Sequence, residues 1–316
     1  MAFSDAKEMG FLPVMVMNID TWWKKAGSAL SVSGDWLAEK FRPLALINYF
    51  VPKRGYQKRI GLSYGPRERH KLDVYVPDGE VRDRPVVVFF YGGSWQAGRR
   101  QDYLFVAEAL TARGCIAVIP DYRVYPEVTF PEFIEDGARA VAWVRTHIGE
   151  FGGDGVKLFL MGHSAGAYIA AMLALNPSYL EQAGWPAHHL QGFVGLAGPY
   201  DFLPLKSPRL IKIFGGADGI PETQPVTFAN PEAPPALLLH GGSDRLVSPH
   251  NTERLAQRLK EAGGRVATRI YPGLKHIRLL IALASPFQNG EPLMDDIARF
   301  IHDETEARQP EDIGVS

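Results

Sequence analysis

The pentapeptide Gly162-His163-Ser164-Ala165-Gly166 places a serine between two glycines, after the apolar run Lys157 to Met161 and before the helix-forming run Ala167 to Leu175. Small neighbours permit a tight strand-to-helix turn that holds the serine hydroxyl above a sheet. The amides that open the helix then point toward developing negative charge. This is an arrangement suited to nucleophilic acyl transfer. A serine hydroxyl attacks only when a base takes its proton, and the base must be oriented by a carboxylate. Downstream, the apolar run Ala236 to Leu239 ends in a loop carrying Asp244, and Ile270-Tyr271 runs into a loop carrying His276. Asp244 lies 80 residues after Ser164 and His276 a further 32. Both follow strand C-terminal ends, the edge at which ligands bind in open α/β sheets.

Other residues compete for these roles from weaker positions. His240 precedes the acid and is expected to shape its turn, while His163 should point away from the serine hydroxyl. The pair His188-His189 reads as solvated loop, because a metal site wants further ligands at suitable spacing. Asp121 and Asp201 also follow strands; Asp121 precedes the serine, and Asp201 is a backup acid. A second glycine loop, Tyr91-Gly92-Gly93-Ser94-Trp95, follows the strand Val86 to Phe90. Consecutive glycines there let backbone N–H groups converge on one point, as an oxyanion requires.

The elements that must hold these loops are legible as an alternation. Near-continuous apolar runs at 86–90, 115–119, 157–161, 192–196 and 236–239 read as strands buried on both faces. Between them, Pro131 to Ile148 reads as a helix with Phe133, Val141, Val144 and Ile148 on one stripe. A helix from Asn251 to Ala262 stops at Gly263-Gly264. Leu72 to Val76 alternates, as an antiparallel strand at or near an edge does. The whole is an α/β protein with a mostly parallel sheet covered on both faces.

Composition bounds the function. With 34 Lys or Arg against 35 Asp or Glu in 316 residues, the net charge is −1, which argues against a nucleic-acid partner. The lone Cys115 lies among aliphatic residues and reads as a buried, inert thiol, with no disulfide or multi-cysteine metal site. No cofactor or metal is called for. The N-terminus lacks a secretory pattern and no run approaches a membrane span, so a cytoplasmic protein is expected. Residues 1–60 stand apart. They hold Trp22, Trp23 and Trp36 with several lysines and arginines, and read either as a helical extension or lid, or as an amphipathic segment in peripheral contact with a membrane. The catalytic domain is expected over 61–304, with an irregular insertion at 199–235 and a frayed tail at 305–316; the chain is expected to be a monomer or homodimer.

With these motifs in place, the chain resembles α/β-hydrolase fold esterases, in the group of bacterial carboxylesterases, feruloyl-esterase-like proteins, arylformamidases and isoprenylcysteine methylesterases. The resemblance runs from Tyr64 to Phe287. It rests on Leu72-Asp73-Val74-Tyr75-Val76-Pro77, Tyr91 to Trp95, Pro120-Asp121-Tyr122-Arg123, Gly152-Gly153-Asp154, the serine loop, Gly198-Pro199-Tyr200-Asp201, and the Asp244 and His276 loops. It implies a serine carboxylesterase acting on a small-molecule ester of short or medium chain or aryl type. In it Ser164 is the nucleophile, His276 the base and Asp244 its orienting acid. The N–H groups of Gly93, Ser94 and Ala165 form the oxyanion hole, and Trp95, Tyr168 and Phe202 wall the pocket. Arylformamidase or amidase, membrane-associated lipase or phospholipase, and a non-catalytic receptor on the same fold are the alternatives. One departure concerns the glycine loop, where the family usually has His at the position of Tyr91.

Overall fold

The computed structural model describes residue 44 and residues 46–79, 82–185, 190–215, 220–288 and 290–307. Eight strands form one sheet: β1 (Tyr56–Ser63), β2 (Lys71–Pro77), β3 (Arg84–Phe90), β4 (Ile116–Pro120), β5 (Gly153–His163), β6 (Gly192–Leu196), β7 (Ala236–Gly241) and β8 (Val266–Tyr271). Their spatial order is β1-β2-β4-β3-β5-β6-β7-β8. β1 pairs antiparallel with β2 and β2 antiparallel with β4. All other neighbours are parallel, so β3 and β5 to β8 deliver their C-terminal ends to one edge.

Successive residues of a strand point to opposite faces, and Val86, Val87 and Val88 are all fully buried. Both faces of the central sheet are therefore covered. The helices are α1 (Leu104–Thr111), α2 (Glu132–His147), α3 (Ala165–Leu175), α4 (Ser178–Gln182), α5 (Pro208–Ile213), α6 (His250–Glu261), α7 (His276–Ile281) and α8 (Leu293–Ala307). α3 is buried along its whole length, and α2 buries Phe133, Val141 and Val144 on its inner stripe. α6 ends before Gly263, whose φ of 85° suits a glycine stop. Cys115 is buried, and desolvation pushes its thiol up to about 12. No helix among the described residues is long and apolar enough to cross a membrane.

The extension expected over 1–60 needs correction at its C-terminal end. Residues 56–60 are strand, the start of edge strand β1, and Leu44, Ile47 and Val51 are buried in the same core as the sheet. β1 has no apolar run because Gln57, Lys58, Arg59 and Ile60 are all exposed, so no periodicity marks it. Residues 1–43, with Trp22, Trp23 and Trp36, lie outside the described residues, as do 308–316. α8 continues to Ala307, past the expected start of the tail at 305. The 199–235 insertion contains α5 and two short 3₁₀ turns, Pro221–Thr223 and Pro225–Phe228.

The antiparallel side of the sheet is tied by charge. Asp73 on β2 and Asp121 just after β4 are both nearly buried, and the Arg100 guanidinium lies between them, donating through Nε to Asp73 Oδ1 at 2.8 Å and through Nη1 to Asp121 Oδ2. Arg100 also donates its backbone N–H to Asp121 Oδ1 at 2.7 Å. Removing the guanidinium would leave two buried carboxylates facing each other with no cation between them. Arg100→Met is expected to lower the unfolding free energy by about 3 kcal/mol, read from urea denaturation; a loss under about 0.5 kcal/mol, the range of ordinary surface substitutions, would contradict this account.

Candidate active site

Ser164 follows the last residue of β5 and precedes α3 with φ 56° and ψ −122°, in a region that L residues rarely adopt. The flanking glycines explain how the turn closes. A Cβ on Gly162 would lie 2.2 Å from the Gly166 carbonyl oxygen, and one on Gly166 would lie 2.0 Å from that of Phe90 in β3. The strained backbone is fixed from both sides: the Ser164 N–H donates to Leu196 O on β6 at 2.9 Å, and the Ser164 carbonyl accepts from Tyr168 N at 3.1 Å.

Asp244 and His276 come together from the loops after β7 and β8. His276 Nδ1 donates to Asp244 Oδ2 at 2.7 Å. Every lone-pair direction of the carboxylate is used, since Oδ1 accepts the N–H groups of Leu246 at 2.9 Å and Val247 at 3.0 Å. His240 Nε2 lies 3.2 Å from Oδ2. Its one N–H, on Nε2, is shared between Oδ2 and the Val247 carbonyl at 3.0 Å, while His240 Nδ1 accepts from the Thr252 hydroxyl at 2.8 Å. Burial alone would push the Asp244 carboxyl up. The hydrogen bonds from His240 and His276, the His276 charge and the Val247 N–H outweigh burial and hold it well below the usual carboxylate range.

His163 is placed where sequence reasoning did not look. Its ring packs against that of His276 with centroids 4.6 Å apart, and its Nε2 donates to the His276 carbonyl at 3.2 Å. The residue adjoining Ser164 thus supports the His276 backbone. Desolvation, then the nearby His276 charge, lowers the His163 pKa well below the ordinary histidine value and keeps the ring neutral. Ser164 Oγ makes no hydrogen bond to His276 in this arrangement; such bonds are often formed only with substrate in place.

The loop 91–98 faces the same edge. Gly93, Ser94 and Trp95 have φ values of 139°, 54° and 58°, and a Cβ on Gly93 would meet the Ala97 carbonyl oxygen at 2.0 Å. The Gly93 carbonyl accepts from Gln96 N at 3.0 Å and Ala97 N at 3.2 Å, which closes the turn. Arg69 grips the loop at both ends. Its Nη2 donates to Tyr91 Oη at 2.9 Å and to Gly98 O at 2.8 Å, and its Nε donates to Tyr122 O at 2.8 Å. Tyr91 Oη in turn donates to Asp121 Oδ1 at 2.7 Å, and burial keeps that phenol protonated. Tyr91 is stacked between Tyr103 and Tyr122. No pattern in the sequence signals Arg69, because its partners lie 22 to 53 residues away.

Trp95, Tyr168 and Phe202 are brought together, with Phe214 as a member the sequence reading missed. Trp95 meets Tyr168 edge to face at 5.2 Å and Phe214 at 4.9 Å, and stacks on Phe202 at 6.1 Å. Tyr168 is pinned by its hydroxyl donating to Thr223 O at 2.7 Å. Of the rival acids, Asp121 is consumed by Tyr91 and Arg100, and Asp201 is ion-paired with Arg254 at 2.7 Å. His188 and His189 lie outside the described residues. No group of three or more His, Cys, Asp or Glu able to hold a metal occurs among the described residues.

The BD-FAE family model matches residues 72–259. A probable isoprenylcysteine α-carbonyl methylesterase from Oryza sativa subsp. japonica is 31% identical over 268 residues, 78% of this chain and 64% of that protein. A probable carboxylic ester hydrolase, LipM, from Mycobacterium tuberculosis is 30% identical over 72% of this chain and 57% of its own length. The chain thus spans less than two thirds of the length of these curated relatives. Among solved structures, an esterase B from Lactobacillus rhamnosis superposes with a TM-score of 0.74 at 17% identity, covering 91% of this chain and 97% of that one. The fold is that of the α/β-hydrolases.

Because the folded Asp244 carboxyl titrates below its unfolded value of about 3.9, its ionised form contributes stability that is complete above that value and is lost as pH falls through it toward the folded one. The gap in unfolding free energy between the native chain and Asp244→Asn is expected to be widest near neutrality and to narrow below about pH 4. Denaturant titrations across the acid range measure it, and a gap that does not change with pH would contradict the assignment.

Proposed function

Because the chain belongs to the BD-FAE family, we propose that it is a serine carboxylesterase that hydrolyses small-molecule esters of short or medium acyl chain or aryl type through an acyl-enzyme. The observation that carries this reading is the 2.7 Å bond from His276 to a fully saturated Asp244 beside the strained Ser164 turn. The printed names of the relatives, a methylesterase and a carboxylic ester hydrolase, support the same bond type.

In this reading Ser164 Oγ attacks the ester carbonyl carbon and passes its proton to His276 Nε2. Asp244 holds Nδ1–H and stabilises the imidazolium. The carbonyl electrons move onto oxygen, where three backbone donors are free to receive them: the N–H groups of Gly93, Ser94 and Ala165 have no hydrogen-bond partner among the described residues. The C–O bond then breaks, and the leaving alkoxide takes the proton from His276. Water repeats the sequence on the acyl-enzyme, returning the serine. His163, neutral and packed on the base, supports it without adding a second positive charge when the imidazolium forms. Of the aromatic group, Trp95, Tyr168 and Phe214 are buried and Phe202 is partly open, so an acyl or aryl substituent would pack against Phe202 backed by the other three rings.

Ser164→Ala is expected to abolish both turnover of a p-nitrophenyl ester series and labelling by a fluorophosphonate, while the thermal melt is kept. A folded Ser164→Ala protein that still turns over would overturn the reading, and an aryl formamide and a phospholipid run beside the esters define the substrate class. Arg69→Met loosens the loop that carries two of the three oxyanion donors. It is expected to lower kcat by about a hundredfold with KM little changed, since these donors act on the transition state. Arg69→Lys is expected to recover little, because one ammonium cannot span Tyr91, Tyr122 and Gly98. A KM effect with intact kcat would refute the positioning role.

A further inference from the structure

The chain as a whole is close to neutral, yet residues 40–67 hold seven basic and no acidic side chains. The described part of this stretch leads into and forms β1, the open edge strand of the sheet. Lys53, Arg54, Lys58 and Arg59 are exposed, and none is paired with a carboxylate among the described residues. Interleaved with them are large apolar side chains left open to water: Tyr49 at 76%, Ile60 at 63%, Phe50 at 58% and Leu46 at 41% exposure. Among the described residues, four of the six large exposed hydrophobic side chains fall between Leu46 and Ile60. Scattered single apolar residues need no explanation, but apolar and basic side chains concentrated on one face do.

Between the tyrosines lies an open cavity of about 330 Å³, lined by Asn48, Tyr49, Lys53, Tyr56, Lys58 and Leu104. The Lys53 ammonium lies 5.3 Å from the centre of the Tyr49 ring, which leaves its positive charge at the cavity mouth. The surface is built firmly from behind. Asn48 Oδ1 accepts the N–H of Phe105 at 3.1 Å, capping α1, while its Nδ2 donates to Gln101 O at 3.1 Å. Phe50 meets Phe287 edge to face at 5.8 Å. Strand register fixes where the surface lies: Tyr56 pairs with Pro77 and Lys58 with Tyr75, which in turn pairs with Ala117 near the start of β4. The surface therefore runs along the outer edge strand, away from the C-terminal strand ends that carry Ser164.

We propose that this face, Leu46 to Ile60, docks on an anionic membrane surface, with Tyr49, Phe50 and Ile60 entering the headgroup layer and a lipid phosphate held between Lys53 and Lys58. Charge complementarity selects a bilayer bearing acidic lipid. Each basic side chain near such a surface contributes about a fivefold gain in partitioning, and interfacial aromatic residues anchor at headgroup depth. Docking there concentrates the chain at the bilayer, so the substrates that gain are apolar esters dissolved in the membrane. This last consequence rests on the carboxylesterase reading; the docking itself does not.

The test is vesicle flotation of the full chain with phosphatidylcholine vesicles alone and with vesicles containing about 30% phosphatidylserine, a PS-rich bilayer of strong negative surface potential. The native chain is expected to float only with the acidic vesicles, and less as salt is raised. Combined Lys53→Gln, Arg54→Gln, Lys58→Gln and Arg59→Gln should reduce partitioning by more than tenfold, and Tyr49→Ser with Ile60→Ser severalfold at unchanged charge. All six side chains are exposed, and unchanged thermal melts confirm that the variants fold. Three results overturn the proposal: no flotation of the native chain, flotation of the fourfold variant equal to native, which assigns binding to other residues, or a loss of dimer rather than of vesicle binding, which assigns the face to a second copy. Hydrolysis of soluble p-nitrophenyl acetate is expected to be the same in all forms, whereas hydrolysis of a vesicle-dissolved ester falls with binding. If the soluble ester is untouched by every form, the esterase reading fails while the flotation result still decides the docking.

Discussion

The left-handed backbone of Ser164 is held by three strands at once. β5 leads into it, β6 receives its N–H through Leu196, and β3 approaches Gly166 so closely that its Phe90 carbonyl fills the space of a Cβ. A conformation of this kind costs of order 1–3 kcal/mol and persists only where its surroundings over-determine it. Here the parallel register of β3, β5 and β6 does so. Hence the fully buried valines and leucines of the central sheet, far from any reacting atom, are what keep a hydroxyl at its strand edge.

Polar groups around that turn are satisfied in a way that leaves few alternatives. Asp244 accepts from two backbone amides and two histidines, so its carboxylate can rotate nowhere without losing hydrogen bonds. His240, buried and committed to Thr252 and Val247, serves that carboxylate. On the other side of the site, Arg69 does for the glycine loop what His240 does for the acid. A planar guanidinium with several donors can tie together backbone and side-chain oxygens from three chain segments, and the protonated Tyr91 passes that tie on to Asp121 and Arg100. Tyr91 is thus embedded in a buried network that joins the loop to the sheet's antiparallel side.

The molecule is asymmetric across its sheet. The centre is apolar and sealed, whereas the β1 edge is basic, aromatic and open, and a near-zero net charge conceals the difference. Unpaired edges invite association, and the cations on β1 bias that association toward acidic surfaces and away from another strand.

The serine turn, the buried strands and the acid and histidine loops were all legible in the sequence. Glycines around a serine, valine-rich runs and strand-to-loop transitions are local patterns that burial and backbone sterics impose on neighbouring residues. The edge strand Tyr56–Ser63 left no such mark, because a strand exposed along most of its length needs no apolar period; only its pairing with β2 defines it. Phe214 joined Trp95, and Arg69 joined Tyr91, Tyr122 and Gly98, only when the chain folded. Contacts between residues tens of positions apart depend on how the sheet and loops close in space, and that closure is a property of the tertiary structure alone.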